Sequence, residues 1–343
     1  MRFSNYMNEW LYGKDGYYTK FIEIGKGGDF YTAVSSSVFF GGSIANRFIK
    51  AFDEGFLSKD STIVEIGAHK GYMLADIVQF IYTLRPKLLK TLSFAIVEPQ
   101  PENAKKQLTY FKDSFGDEIN LTHYKDLDEV ELDEAFVVAN ELFDAFSCEV
   151  IKDGKMLYMD GHSAYFDTMS DDVKRLCKEY DIKRGEIGLG YYEFAKKMDK
   201  AFKRYEFVTF DYGEFFQRED FSLRIYHKHK TYPFFALTDF VQEKEEKPKD
   251  VSLDTLFKKS DITYDVNFSY LTGEFEKTGA KKYSFQTQLA ALVDFGITDL
   301  LELLAKNSNQ KVYEAELNRV KVLLNPTFMG ERFKCIIFRK EKR

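Results

Sequence analysis

The chain has 343 residues, 44% of them hydrophobic and 30% charged, with a formal net charge of −6. That length allows either one enlarged α/β domain with insertions or two domains, with a large core in both cases. The acidic balance disfavours unassisted binding to nucleic acid, no apolar run reaches the roughly 18 residues of a membrane span, and Cys148, Cys177 and Cys335 stand far apart with no CxxC pair, which argues against a disulfide framework or a structural zinc site.

The first six residues, Met1 to Tyr6, lack an apolar signal core and an arginine-rich transit pattern, so the cytoplasm is the expected compartment. Residues 1–55 predict helices around a glycine-rich loop. Met7 to Tyr12 is short and apolar, Val38 to Phe52 repeats apolar residues at helical spacing, and Gly25-Lys26-Gly27-Gly28-Asp29-Phe30-Tyr31-Thr32 lies between them. Thr62 to Ile66 predicts a strand that runs into Gly67, and Leu74, Ile77, Val78 and Ile81 follow at the spacing of one helix face. After a break at Arg85-Pro86, Leu92 to Glu98 predicts a second strand and a helix follows to about Phe115, which makes a βαβ unit with a right-handed crossover. Ile119 to Tyr124 and Ala135 to Ala139 predict a third and a fourth strand. A helix from Tyr191 to Lys203 precedes a fifth, Glu206 to Phe210, ending at Asp211-Tyr212-Gly213. Ser284 to Ala305 and Tyr313 to Leu324 predict helices, and Arg332 to Arg339 a closing strand. The alternation means a doubly wound α/β sheet with N-terminal helices. The stretches 146–185 and 214–285 break it and read as inserted α+β segments, the second carrying the charged run 243–250 as an exposed linker.

In an open parallel sheet, ligands bind beyond the carboxyl ends of the strands, so chemistry should follow each strand. Gly67 and Gly71 follow the first, Glu98 ends the second, Asp126 and Leu127 follow the third, Asn140 and Glu141 the fourth, and Asp211 the fifth. A glycine loop admits close backbone approach, and an acid ending the next strand can accept both hydroxyls of a ribose. Dinucleotide sites prefer G-x-G-x-x-G with the pyrophosphate at a helix N-terminus. Here Glu65 stands two residues before Gly67, and an acid at that place suits a cationic cofactor without phosphate, S-adenosyl-L-methionine, better than a nicotinamide dinucleotide. The five histidines are scattered, so no metal site is expected.

The sequence resembles the MidA-type family, whose mitochondrial members are complex I assembly factors acting as protein arginine methyltransferases. The marks are Gly16-Tyr17-Tyr18, Gly28-Asp29-Phe30-Tyr31-Thr32-Ala33, the loop Glu65 to Gly71, Val97-Glu98-Pro99, Asn140-Glu141-Leu142-Phe143-Asp144-Ala145, Asp211-Tyr212-Gly213, Leu223-Arg224-Ile225-Tyr226, Asp261-Ile262-Thr263 and Thr287-Gln288. The resemblance implies a class I methyltransferase (Rossmann-like) sheet, S-adenosyl-L-methionine as cofactor and a protein substrate, such as a respiratory-complex-type subunit, methylated on arginine. On that basis residues 56–145, 206–229 and 286–343 form the methyltransferase core, 1–55 an N-terminal segment, and 146–205 with 230–285 a substrate-binding subdomain. Cofactor contacts are expected for Gly28, Asp29, Tyr31, Thr32, Glu65, Gly67, His69, Gly71, Glu98, Asp126, Leu127 and Asn140, and Glu141, Asp144 and Asp29 are the candidate catalytic carboxylates, because a guanidinium has to be oriented and to lose a proton before it can attack. His69 stands where the family has the middle glycine of its loop, a position histidine tolerates better than most residues if φ is positive. Val34, Ser35 and Ser147 also replace family residues. A non-catalytic binding or assembly protein on the same fold and a nicotinamide-dependent oxidoreductase are the alternative readings, and the oligomeric state is left open.

Overall fold

The computed structural model describes residues 1–19, 32–240, 248 and 250–341. They belong to two compact units, one of Met1–Tyr31, Phe143–Tyr191 and Tyr212–Glu274, the other of Thr32–Leu142, Tyr192–Asp211 and Phe275–Arg343. Among the described residues no helix is long and apolar enough to cross a membrane.

The second unit is built on seven strands, β1 Thr62–Ile66, β2 Ser93–Val97, β3 Leu121–Tyr124, β4 Leu132–Asn140, β5 Phe202–Glu214, β6 Lys281–Thr287 and β7 Phe333–Lys340, in the order β3-β2-β1-β4-β5-β7-β6. The first five are parallel neighbours and β6 pairs antiparallel with β7. The helices are α1 Phe39–Asp53, α2 Tyr72–Leu84, α3 Pro101–Phe115, α4 Tyr191–Ala201, α5 Gln288–Asp294, α6 Ile297–Asn307 and α7 Gln310–Leu324. Every residue of β1 is buried, as expected of a central parallel strand covered on both faces, whereas β3 at the edge is half-exposed. This is a mixed α/β sheet with a parallel centre and an antiparallel pair at one edge, as the alternation of strands and helices in the sequence predicts.

The strands expected at 62–66, 92–98 and 119–124 lie within two residues of their predicted bounds. Three expectations differ. β5 does not end before Asp211 but runs on to Glu214, because Gly213 and Glu214 find a parallel partner in Val266–Asn267. Ser284 to Thr287 is strand rather than helix, since pairing with Lys334 to Ile337 of β7 outweighs the local period. The helix expected to continue to Ala305 is broken by Gly296 at φ 82°, giving α5 and α6. The division of the chain also falls elsewhere: 192–205 and 275–285 lie with the core, because α4 feeds straight into β5 and the latter segment opens β6. Residues 212–229 lie with the inserted segments. The run 243–250 is largely outside the described residues.

In the first unit, the helix Phe3–Tyr12 buries Phe3, Tyr6, Met7, Trp10 and Leu11, one face at helical spacing. They join a cluster with Cys148, Val150, Leu157, Met159, Ile225, Phe234 and Ile262. Two antiparallel sheets supply all of these partners but Phe234, which opens a short 3₁₀ turn: one sheet has four strands between Cys148 and Gly188 and the other three, Arg224–His227, Lys230–Pro233 and Asp261–Thr263.

The second unit is tied by a buried ion network. Arg47 of α1 donates through Nε and Nη2 to the two carboxylate oxygens of Glu206 on β5, each at 2.7 Å. Arg339 of β7 donates to Glu206 at 2.6 Å and to Glu54 at 2.7 Å, its guanidinium stacked 3.9 Å from the Tyr283 ring centroid. Arg47→Leu would leave Glu206 with one cation in a dry site and is expected to cost about 3 kcal/mol of unfolding free energy. Urea denaturation reads this, and an unchanged midpoint would mean that Arg339 neutralises Glu206 alone.

Candidate functional site

From β1 the chain moves outward to β2 and β3, then returns to β4 on the other side of β1. The strand order therefore reverses between β1 and β4, and the crevice at their carboxyl ends is the place where such sheets take ligands. The register aligns those ends: Ile66 pairs with Val97, Val97 with Tyr124, and Asn140 with Phe210.

The loop after β1 turns through left-handed backbone at Gly67 (φ 73°), His69 (φ 46°) and Gly71 (φ 76°). His69 thus keeps the path of the loop without being glycine, at a cost on the order of 1–2 kcal/mol. The turn closes with the Gly71 N–H donating to Ala68 O at 2.7 Å. Gly71 is the N-cap residue of α2 and has no side chain to satisfy the first turn, and Glu65 does so instead, its Oε2 accepting from Leu74 N at 3.0 Å. Glu65 is 3% exposed. Burial raises its carboxyl to about 8, against the pull of the Leu74 N–H and with a further push from Asp76, itself raised to about 7 by burial.

Glu98 follows β2 directly and is 6% exposed. Its Oε1 accepts from Gln100 N at 2.9 Å and its Oε2 from Gln107 Nε2 at 3.3 Å. Burial raises its pKa, and the hydrogen bonds from Gln100, Asn103 and Gln107 oppose that rise. A carboxylate offers about four lone-pair sites, so acceptor capacity remains beyond these three donors.

At the end of β4, Asn140 Nδ2 donates to Glu141 Oε1 at 2.8 Å, and Glu141 stands in left-handed backbone at φ 52° with its N–H on Phe210 O at 2.8 Å. Non-glycine residues in that region concentrate at functional sites. Asn140 Oδ1 is buried with no hydrogen-bond partner among the described residues. A β-carbon placed on Gly67 would lie 3.6 Å from Leu142 Cδ1, so the segment after β4 lies against the loop after β1.

Glu65, Gly67, His69, Gly71, Glu98, Asn140 and Glu141 therefore share one edge of the sheet, whereas other expected site residues have different engagements. Asp126 is exposed, caps a short 3₁₀ turn through Asp128 N at 2.9 Å and pairs with Lys197 at 2.7 Å, while Leu127 is buried beneath that turn. The Thr32 hydroxyl forms a capping box with Ser35, accepting from its N–H at 3.2 Å. Gly28, Asp29 and Tyr31 lie outside the described residues. Asp144 belongs to the first unit, buried, accepting from Tyr212 and, at 2.8 Å, from Thr263 Oγ1. Burial raises its pKa.

Several motifs that no cofactor loop explains meet around Asp144. Tyr18 donates to Asp261 at 3.0 Å, and Asp261 is raised to about 7 by burial and by the neighbouring Asp144. Arg224 pairs with Asp265 at 2.6 Å and lies 4.5 Å over the Tyr212 ring. Gly213 is required because a β-carbon there would come within 2.1 Å of Val266 O. Gln107 and His123, by contrast, escaped the sequence reading. Gln107 is fully buried, its Nε2 donates to His69 O at 2.8 Å as well as to Glu98, and its Oε1 meets His123 Nε2 at 2.8 Å. The available signal was a lone glutamine four residues before Phe111 on the apolar face of α3.

Comparison with known proteins agrees with this geometry. Residues 43–286 match the family described as "Putative S-adenosyl-L-methionine-dependent methyltransferase". The chain is 24% identical to the rat (Rattus norvegicus) protein named protein arginine methyltransferase NDUFAF7, mitochondrial, over 96% of this chain and 79% of that one. It is 23% identical to the protein of the same name from zebrafish (Danio rerio), over 93% and 78%. Among solved structures, a COG1565 superfamily member from Burkholderia thailandensis bound to S-adenosyl-homocysteine superposes with a TM-score of 0.80 at 22% identity, covering 100% of this chain and 88% of that one. The family match spans most of the chain and overlies β1 to β5 with their carboxyl-end loops, and the chain therefore belongs to the Methyltransf_28, or MidA-type, family.

Proposed function

We propose that the protein transfers a methyl group from S-adenosyl-L-methionine to an arginine of a protein substrate. The observation that carries this reading is Glu98: a buried carboxylate at the end of the second strand, held by Gln100 and Gln107, with acceptor capacity left beside a left-handed glycine loop. The residues present fit the cofactor. Glu98 would take the ribose hydroxyls, the backbone from Gly67 to Gly71 would pass along the cofactor, and Glu65 and the unsatisfied Asn140 Oδ1 would face its cationic amino-acid part. Arginine as the acceptor is supported by the names of the rat and zebrafish relatives, and a respiratory-complex-type subunit is the partner that the family resemblance implies.

When bound, the cofactor supplies an electrophilic methyl group. A guanidinium is no nucleophile until it is losing its proton, so a carboxylate has to orient it and take that proton. Glu141 is placed for this task, because Asn140 Nδ2 fixes one of its oxygens and its backbone is pinned to β5. Alignment of nucleophile and methyl then accounts for most of the acceleration.

Incubation with methyl-labelled cofactor and unfractionated cell protein, followed by hydrolysis, is expected to place label in methylarginine. Label confined to other residues would overturn the arginine assignment. Glu141→Gln should lower transfer by roughly 10²–10⁴-fold while cofactor affinity stays unchanged. Glu98→Ala should weaken S-adenosyl-homocysteine binding by about 1–3 kcal/mol in calorimetry, and unchanged affinity would move the ribose elsewhere. His69→Gly is expected to leave binding unaltered or improved, because glycine takes the positive φ of this position without strain; a sharp loss would make His69 a direct contact.

Two opposite pH dependences follow from Glu65, whose folded pKa of about 8 lies above its ordinary value of 4.5. Its contribution to folding is full below the ordinary value and is lost as pH rises through about 8, whereas an ammonium group of the ligand beside it, which S-adenosyl-L-methionine and S-adenosyl-homocysteine share, favours the ionised form. Cofactor affinity should therefore climb as pH rises toward 8 while the unliganded protein loses stability. Glu65→Gln should flatten both profiles, and a wild-type affinity profile that is flat or falls with pH would contradict the placement.

A further inference from the structure

We infer that Gln107 is a positioning residue for the cofactor, acting on Glu98 and on the His69 turn at once; this rests on the cofactor reading above. The amide orientation is fixed by its neighbours. His69 O and the Glu98 carboxylate can only accept, so the NH₂ of Gln107 faces both, at 2.8 and 3.3 Å, and Oε1 faces His123. The imidazole must then donate from Nε2, which leaves Nδ1 as a buried acceptor with no hydrogen-bond partner among the described residues. The order of donation is His123 to Gln107, then Gln107 to the loop and to the acid. Burial lowers the His123 pKa and keeps the ring in this neutral form. A buried glutamine needs partners in any protein. Here its two acceptors are the one loop position that bears a side chain where the family has glycine, and the acid assigned to the ribose. Gln107 thereby holds the left-handed turn closed and fixes one Glu98 oxygen, so the other lone pairs point in a set direction.

The test is calorimetric titration of the full-length protein with S-adenosyl-homocysteine from pH 6.0 to 8.5, with the melting temperature recorded at each pH. Gln107→Leu removes a hydrogen bond to a charged group and should weaken binding about tenfold at every pH. Gln107→Glu keeps the shape. At low pH its protonated carboxyl can still donate to one of the two acceptors, and affinity should lie between Gln107→Leu and wild type; as pH rises, the introduced charge confronts Glu98 and affinity should fall, opposite to the wild-type trend. A residue that only fills space would move the melting temperature without inverting that profile. Wild-type affinity in Gln107→Leu, or a Gln107→Glu profile parallel to wild type, would overturn the assignment. Should both variants fail to fold, His123→Ala on the edge strand reads the same relay: about threefold weakening is expected, and an unchanged Kd would overturn it. No binding by folded wild type would remove the cofactor reading itself, and this assignment with it.

Discussion

The central constraint is that β1 is hydrogen bonded along both edges, to β2 through five consecutive residues and to β4 through four. A strand held in this way cannot slip by one residue without turning its buried set to the wrong face. The positions of Gly67, Glu98 and Asn140 relative to one another are thus set by backbone pairing before any side chain contributes. The crevice follows from the order of the strands, since two neighbours whose chains depart in opposite directions leave their carboxyl ends uncovered.

Into that crevice the protein places acids at an electrostatic cost. Glu65 and Glu98 are buried, and desolvation is the largest influence on each. Neither is placed by helix packing alone. Glu65 caps α2 because Gly71 cannot, and Glu98 is held by the turn into α3 and by Gln107. The glycine that lets the loop turn thus creates the need that fixes the acid. The left-handed residues His69 and Glu141 add local strain, which is tolerated where the surrounding hydrogen bonds over-determine the backbone.

Much of this was legible in the sequence because parallel strands read as continuous apolar runs and each ends at a residue of distinct chemistry. The run 62–66 with Gly67 after it and the run 92–98 closing on Glu98 are the clearest cases. What was not legible has physical causes. Strand pairing overrode the helical period at Ser284 to Thr287, and an adjacent backbone at Val266 prolonged β5 past Asp211. Gln107 carries no motif, because its role depends on three partners, His69, Glu98 and His123, spread over 54 positions of sequence. Conversely Asp126 had the right place in the pattern, yet it caps a turn and pairs with Lys197, which only the fold reveals. The marks Tyr18, Tyr212, Arg224 and Asp261 were readable in the sequence as a resemblance, and only the fold shows that they meet around Asp144 within the first unit.

The central claim is that the loop after β1 and the acid after β2 form one adenosine site. A crystal structure of the protein with S-adenosyl-homocysteine bound tests it most directly. The account predicts the ribose hydroxyls on the Glu98 carboxylate, with Gln107 still bridging Glu98 and the His69 carbonyl. A ligand seated away from Glu98, or crystals that take up none at saturating concentration, would contradict it.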